Sequence, residues 1–309
     1  MTGNAPAQAD PGQLLCFGLG FSAKVLARRL AAEGWAIAGT SRTPQGAAAI
    51  EAEGWHGHVF DGSASAGDVR AAIAAASHVL ISIPPGAAGD PALHLHGEDI
   101  ATSPEIRWIG YLSTIGVYGD HRGGWVDEDT QPSPASERGR RRLAAERAWS
   151  ELGGSSGKRT VIFRLPGIYG PGRSTLDAIR AGTARRVIKT GQVFNRIHAD
   201  DIATAVAASM QGRGRHSIYN VSDDAPAPPE EVAAYAARLL GLPEPPAVSF
   251  ETAEMSPMAR SFYGESKRVS NRRMKVDLGV TLAYPTYREG LAAIARAAIP
   301  RIERRQSTE

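Results

Sequence analysis

Gly18-Leu19-Gly20-Phe21-Ser22-Ala23 follows the apolar run Leu14 to Phe17 and opens the helix-patterned stretch Lys24 to Glu33. Residues of these types at this spacing bind anions. Glycine at 18 permits a tight turn, glycine at 20 lets the backbone approach phosphates, and a small residue at 23 packs the helix on its strand. The free N–H groups at the helix start, contributed by Leu19, Gly20, Phe21 and Ser22, would hold a dinucleotide pyrophosphate. A glycine turn between strand and helix also occurs in proteins that bind nothing, so its surroundings must decide.

A second group of residues bears on which dinucleotide would bind. After the next apolar run stands Gly39-Thr40-Ser41-Arg42, with no Asp or Glu to bond a ribose 2′-hydroxyl. Two hydroxyls and a guanidinium instead suit the 2′-phosphate of NADP, with NAD the less favoured cofactor. Asp61, after the third apolar run, can accept a bond from the adenine amino group or serve as an ordinary turn aspartate.

These residues require a scaffold, and the hydrophobic pattern supplies one. Trp35 to Gly39 reads as a second strand, Pro44 to Glu53 as a helix, His58 to Phe60 as a third strand, Asp68 to Ala76 as a helix and His78 to Ile83 as a fourth strand. Such alternation predicts an α/β fold with a doubly wound parallel sheet. The Pro-rich passage Ala225 to Pro229 reads as a loop leading into a helix over Glu230 to Leu240.

At 309 residues, 42% hydrophobic and 22% charged, the chain can bury one large core and a small second lobe. The net charge of +3 comes from dispersed Lys and Arg, with local excesses at 138–147 and 267–275 that lack a stacking aromatic series, so nucleic-acid binding is not expected. Cys16, the single cysteine, excludes an intrachain disulfide and a cysteine metal site, and reads as a core residue. The pairs His56/His58 and His94/His96 have no carboxylate or cysteine cluster beside them in sequence, so no metal site is expected there. Residues 1–12 are small and polar and read as a disordered tail. No apolar stretch is long enough for a membrane helix, and the expected location is cytoplasmic.

Beyond residue 100 the chain resembles the extended short-chain dehydrogenase/reductases, the superfamily of nucleotide-sugar epimerases and dehydratases. Tyr111 to Gly119 resembles its fifth strand and catalytic Ser/Thr turn, and Arg164 to Gly172 its next strand and the loop over the nicotinamide. Arg196-Ile197-His198-Ala199-Asp200-Asp201-Ile202-Ala203 and Tyr219-Asn220-Val221 match two further segments in the right order. The resemblance implies a Rossmann-type doubly wound sheet with a smaller C-terminal substrate lobe. The dinucleotide domain would take 13–170 with 196–221, and the lobe 171–195 and 222–309. Pro166, Gly167 and Ile168 would cover the nicotinamide, and Ser82, Ile83 and Pro84 at the end of the fourth strand complete the expected cofactor contacts. In the family's His-x-Asp-Asp pattern, His198 would make a structural hydrogen bond.

The resemblance fails at the catalytic pair. The family uses Tyr-x-x-x-Lys on one helix face, and aligning Gly139 and Glu146 puts Arg138 at the tyrosine and Arg142 at the lysine. Arg142 can still contact the cofactor ribose, but a guanidinium is no proton shuttle at any working pH. Thr114 then bonds the reacting oxygen, Tyr118 or Tyr169 supplies a phenol, and Arg138 binds an alkoxide, carboxylate or phosphate. Tyr263-Gly264-Glu265-Ser266-Lys267 copies the missing motif, yet lies far beyond its expected place. A structural role is the first reading of that copy, and the second is a segment folded over the cleft that brings Tyr263 or Lys267 to the substrate. These departures resemble the superfamily's atypical branch.

Two functional classes remain. One is an NADP-dependent oxidoreductase or epimerase acting on a small polar substrate through a nonstandard proton donor. The other is an NADP(H)-binding regulator or structural partner without turnover. A homodimer through helices near 93–100 and 143–152 would be usual for the extended family, although the arginines at 138–147 oppose self-association.

Overall fold

The computed structural model describes residues 11–297. Most of the expected tail, residues 1–10, and the last part of the expected lobe, residues 298–309, lie outside the described residues. Gly12, placed in the tail by sequence, instead accepts the amide of Ala36 with its carbonyl at 3.1 Å.

The first half alternates strand and helix: β1 (Gln13–Phe17), α1 (Phe21–Ala32), β2 (Ala36–Ser41), α2 (Pro44–Glu51), β3 (His56–Val59), α3 (Gly67–Ala75), β4 (His78–Ile81), α4 (Pro91–Thr102) and β5 (Trp108–Thr114). A 3₁₀ turn over 115–118 leads to β6 (Trp125–Val126), α5 (Glu137–Ser156), β7 (Arg159–Leu165) and β8 (Gly167–Tyr169). Then come α6 (Thr175–Arg180), β9 (Arg186–Ile188), β10 (Arg196–His198), α7 (Ala199–Met210), β11 (Ile218–Asn220), α8 (Pro229–Leu239) and β12 (Ala247–Ser249). The last elements are α9 (Pro257–Phe262), β13 (Arg268–Val269), α10 (Arg272–Asp277) and α11 (Tyr287–Ala297).

Seven parallel strands in the order β11-β7-β5-β4-β1-β2-β3 form the central sheet. A sheet covered on both faces needs apolar strands, and β1, β4, β5 and β7 are buried almost throughout. One face carries α1 and α7 over Leu14, Cys16 and Phe163, and the other carries α3, α4 and α5 over Leu15, Val79 and Ile109. Cys16 is wholly buried, and burial pushes its thiol pKa up. The direction of winding reverses between β1 and β4, which opens a crevice at the carboxyl ends of the strands.

Predicted boundaries shift where pairing or proline intervenes. β2 continues to Ser41 because Thr40 and Ser41 pair with His58 and Val59. β4 stops at Ile81, before Pro84 and Pro85, which lack the amide a ladder needs. β10 joins β8 in a separate ribbon rather than the central sheet. α6, α8 and α11 enclose a second core around Leu176, Val232 and Leu291.

Candidate functional site in the strand-end crevice

The glycine turn is held from the neighbouring strand. Gly18 adopts φ +83°, and a Cβ there would lie 2.5 Å from Ile83 Cγ2. Its amide donates to Thr40 Oγ1 at 2.9 Å, and the amide of Leu19 donates to the Thr40 carbonyl at 3.0 Å. Ser82 donates its amide to the Phe17 carbonyl at 2.9 Å, so the loop carrying Ser82, Ile83 and Pro84 packs against the turn. Gly20 caps α1 in extended conformation, and no side chain accepts from the first-turn amides. A Cβ on Gly20 would meet nothing within 4 Å. Of the four amides expected to be free, those of Leu19 and Gly20 donate instead to the Thr40 and Gly18 carbonyls, which leaves the amides of Phe21 and Ser22 for a pyrophosphate, and on that test the residues fit a dinucleotide.

Of the expected 2′-phosphate ligands, Thr40 requires a correction. It is 2% exposed and its hydroxyl oxygen is engaged by Gly18, so it builds the turn rather than meeting a ligand. Ser41 stands over the first turn of α2, where a Cβ on Gly46 would collide with its hydroxyl. Arg42 is exposed, and no carboxylate pairs with it among the described residues. Asp61 turns Oδ1 onto the amide and hydroxyl of Ser63, at 2.8 and 2.6 Å, and these bonds hold its carboxyl below the ordinary range.

The residues expected to be catalytic gather at the end of β5. Thr114 is partly exposed, and its Oγ1 accepts the Gly116 amide at 3.1 Å. Arg142 donates to the Leu112 carbonyl at 2.5 Å, with its guanidinium 5.7 Å from the centre of the Tyr111 ring. Arg138, one turn earlier, rests 5.2 Å over Phe262. Burial, then the neighbouring Arg142, lowers its pKa, and Glu265 opposes the shift. α5 approaches this turn closely because residue 139 is glycine, whose Cβ would lie 2.9 Å from the Gly116 carbonyl.

Tyr118 is a second correction, since it is wholly buried rather than open to a substrate. Its hydroxyl donates to Asn220 Oδ1 at 2.8 Å and accepts from Arg164 at 3.0 Å, and burial raises its pKa. Arg164 also pairs with Glu146 at 2.7 Å, and Ser113 donates to the same carboxylate at 2.5 Å. Tyr169 is also buried, edge-on to His198 at 5.2 Å, with its pKa raised by burial. His198 caps α7 by accepting the Asp200 amide at 3.2 Å, as its matched position implies.

The copied motif packs against the turn after β5. Tyr263 is packed between Phe194 and Phe250, at centroid distances of 5.1 and 5.2 Å. Lys267 is buried and donates to the Gly119 carbonyl at 2.5 Å and to Glu265 at 2.6 Å. Ser266 accepts the amides of His121 and Gly123 with its carbonyl, and Asn195 donates to the carbonyl of Lys267. The segment therefore straps the turn after β5 to the loop before β10. Beside it, Gly167, Ile168, Tyr169, Thr175, Arg196 and Tyr287 line a cavity of about 180 Å³.

Sequence reasoning missed the Glu146–Arg164 pair, although Glu146 served as an alignment landmark. It also missed single carboxylate partners for two histidines, His58 with Asp68 at 3.2 Å and His96 with Asp99 at 2.9 Å. Among the described residues no three potential metal ligands cluster, and no helix is long and apolar enough to cross a membrane.

A crevice at the carboxyl ends of a doubly wound sheet, fronted by a glycine turn, defines a dinucleotide-binding class of protein. Residues 99–222 match the NAD dependent epimerase/dehydratase family. Protein YeeZ of Escherichia coli K12 is 30% identical over 278 residues, which cover 87% of this chain and 94% of that protein. A functionally unknown conserved protein from Silicibacter pomeroyi is 49% identical with a TM-score of 0.84, covering 94% of this chain and 100% of the other. Human epimerase family protein SDR39U1, solved with NADPH, shares the fold at 18% identity and a TM-score of 0.72, over 92% of this chain and 99% of that one. The chain belongs to the NAD dependent epimerase/dehydratase family.

Proposed function

We propose that this protein is an NADP-dependent oxidoreductase or epimerase acting on a small polar substrate, with a proton donor other than the family's tyrosine. The observation that carries the reading is the open, uncapped glycine turn beside an Arg42 that has no protein partner among the described residues. Similar folds have been solved with NAD and with NADPH, which supports a nicotinamide dinucleotide, and the preference for NADP rests on Ser41 and Arg42. When bound, the nicotinamide would supply hydride exchange with a substrate carbon, and because the Tyr118 and Tyr169 phenols are buried the accompanying proton would pass between the reacting oxygen and solvent water. Ser41 and Arg42 would hold the 2′-phosphate, and Pro166, Gly167 and Ile168 would shield the nicotinamide from water. Thr114 would orient the reacting oxygen. Arg142 would hold the ribose edge, and Arg138 would stabilise negative charge on the substrate without exchanging a proton.

Fluorescence titration with NADPH and NADH tests the reading first. Tight NADPH binding with much weaker NADH binding is expected, followed by turnover in a substrate screen that tracks the reduced nicotinamide. Thr114→Ala is expected to keep cofactor affinity and lower kcat. Binding of neither nucleotide refutes the proposal. One observation favours an NADP(H)-binding protein without turnover: Arg138 stands at the tyrosine position and is stacked on Phe262 of the strap segment. NADPH binding without turnover in the screen would select that second reading.

A further inference from the structure

The small lobe brings a cation to the glycine turn. Residues 170–173 form a tight turn in which Gly170 and Arg173 exchange two backbone hydrogen bonds, each 3.0 Å, with Gly172 at φ +76°. The turn presses on the first residue of α1, since a Cβ on Gly170 would lie 3.1 Å from Phe21 Cζ. Arg173 lies with its guanidinium carbon 5.4 Å from the centre of the Phe21 ring. That guanidinium is exposed, and among the described residues it has no carboxylate within salt-bridge distance and no side-chain hydrogen bond. An arginine stacked on an aromatic face keeps all its N–H groups free for an anion at the ring's edge.

We propose that Arg173 is a cofactor-binding residue that closes over the pyrophosphate from the small-lobe side, with Phe21 as its platform. This rests on the dinucleotide reading of the glycine turn. The amides at the start of α1 approach the phosphates from below, and Arg173 reaches them from the opposite lobe. Phe21 joins the two halves of the grip, because its backbone belongs to the turn and its ring carries the guanidinium. Cofactor binding then fixes the loop between β8 and α6 where it already packs against α1.

The test is fluorescence titration of the full-length protein with NADPH and with NADH, comparing wild type, Arg173→Ala and Arg173→Lys. Arg173→Ala is expected to weaken both nucleotides alike, by roughly ten- to a hundredfold in Kd, because both carry the pyrophosphate. Arg173→Lys should recover part of the loss, since the charge survives but the planar fork and its stacking do not. Both variants should keep the wild-type melting temperature, as the side chain is exposed. Affinities of Arg173→Ala within about twofold of wild type for both nucleotides would overturn the proposal. A loss confined to NADPH would place the cation on the 2′-phosphate and overturn it too. Failure of the wild type to bind either nucleotide would remove the dinucleotide reading itself, an outcome visible before any variant is compared.

Discussion

Glu146 and Arg164 form a buried ion pair, 2.7 Å apart and each about 3% exposed or less, directly behind the Ser113–Thr114 turn. Ser113 donates to the carboxylate and Tyr118 accepts from the guanidinium, so both charges are hydrogen-bonded as well as paired. Removing one partner strands the other charge in the interior. Glu146→Gln is expected to cost about 3–5 kcal/mol of stability, and the double variant Glu146→Leu/Arg164→Met much less, because it leaves no orphaned charge. Denaturant unfolding of the three proteins checks this, and equal losses for single and double variants would contradict it.

The two glycines of the cofactor turn are expected to respond in opposite ways. Gly18→Ala forces a side chain into positive φ and onto Ile83, and should destabilise the fold by about 1–3 kcal/mol. Gly20 is extended, at φ −87° and ψ −161°, with open space beyond it. Gly20→Val should therefore cost no more than about 1 kcal/mol, the loss of a favourable N-cap residue, while its side chain fills the space a pyrophosphate would take. Melting curves paired with NADPH titration separate the two effects.

Arg42 is exposed and, among the described residues, has no acidic partner, so removing it disturbs little else. Arg42→Ala should weaken NADPH by roughly ten- to a hundredfold, with NADH changed by less than about twofold. Equal affinity of the variant and the wild type for NADPH would mean that the 2′-phosphate lies elsewhere.

The sequence made the turn legible because its chemistry is local: Gly18, Gly20 and Ala23 lie within six residues, and each type answers a steric need. The alternating elements gave the sheet class for the same reason. Tyr118 was misplaced because a tyrosine four residues after Thr114 looks close to the chemistry, whereas the 3₁₀ turn aims it inward at Asn220, 102 residues away. The copied motif was legible as a segment, but its partner was not, since Lys267 finds Gly119 across 148 residues and no periodicity records such a meeting. Thr40 had the right chemistry for a phosphate but stands at a buried register position of β2.

Asp223 supplies a test in pH. It is 1% exposed, and Oδ1 accepts the Ala225 amide at 3.1 Å while Oδ2 has no partner. Burial raises its pKa from 3.8 to about 7, with that bond and Arg196 pulling down and Asp224 and Asp201 pushing up. Its folded pKa thus exceeds its unfolded one, so between about 4 and about 7 the folded state holds a proton that the unfolded state releases. Stability therefore falls as pH rises through that window and levels off above it. Three pKa units at about 1.4 kcal/mol each cap the penalty near 4 kcal/mol. Asp223→Asn keeps the acceptor for Ala225 and removes the ionisation, so it should raise the melting temperature more at about pH 8 than at about pH 5. A variant less stable than wild type at the higher pH would show that the carboxylate is ionised there and held by Arg196.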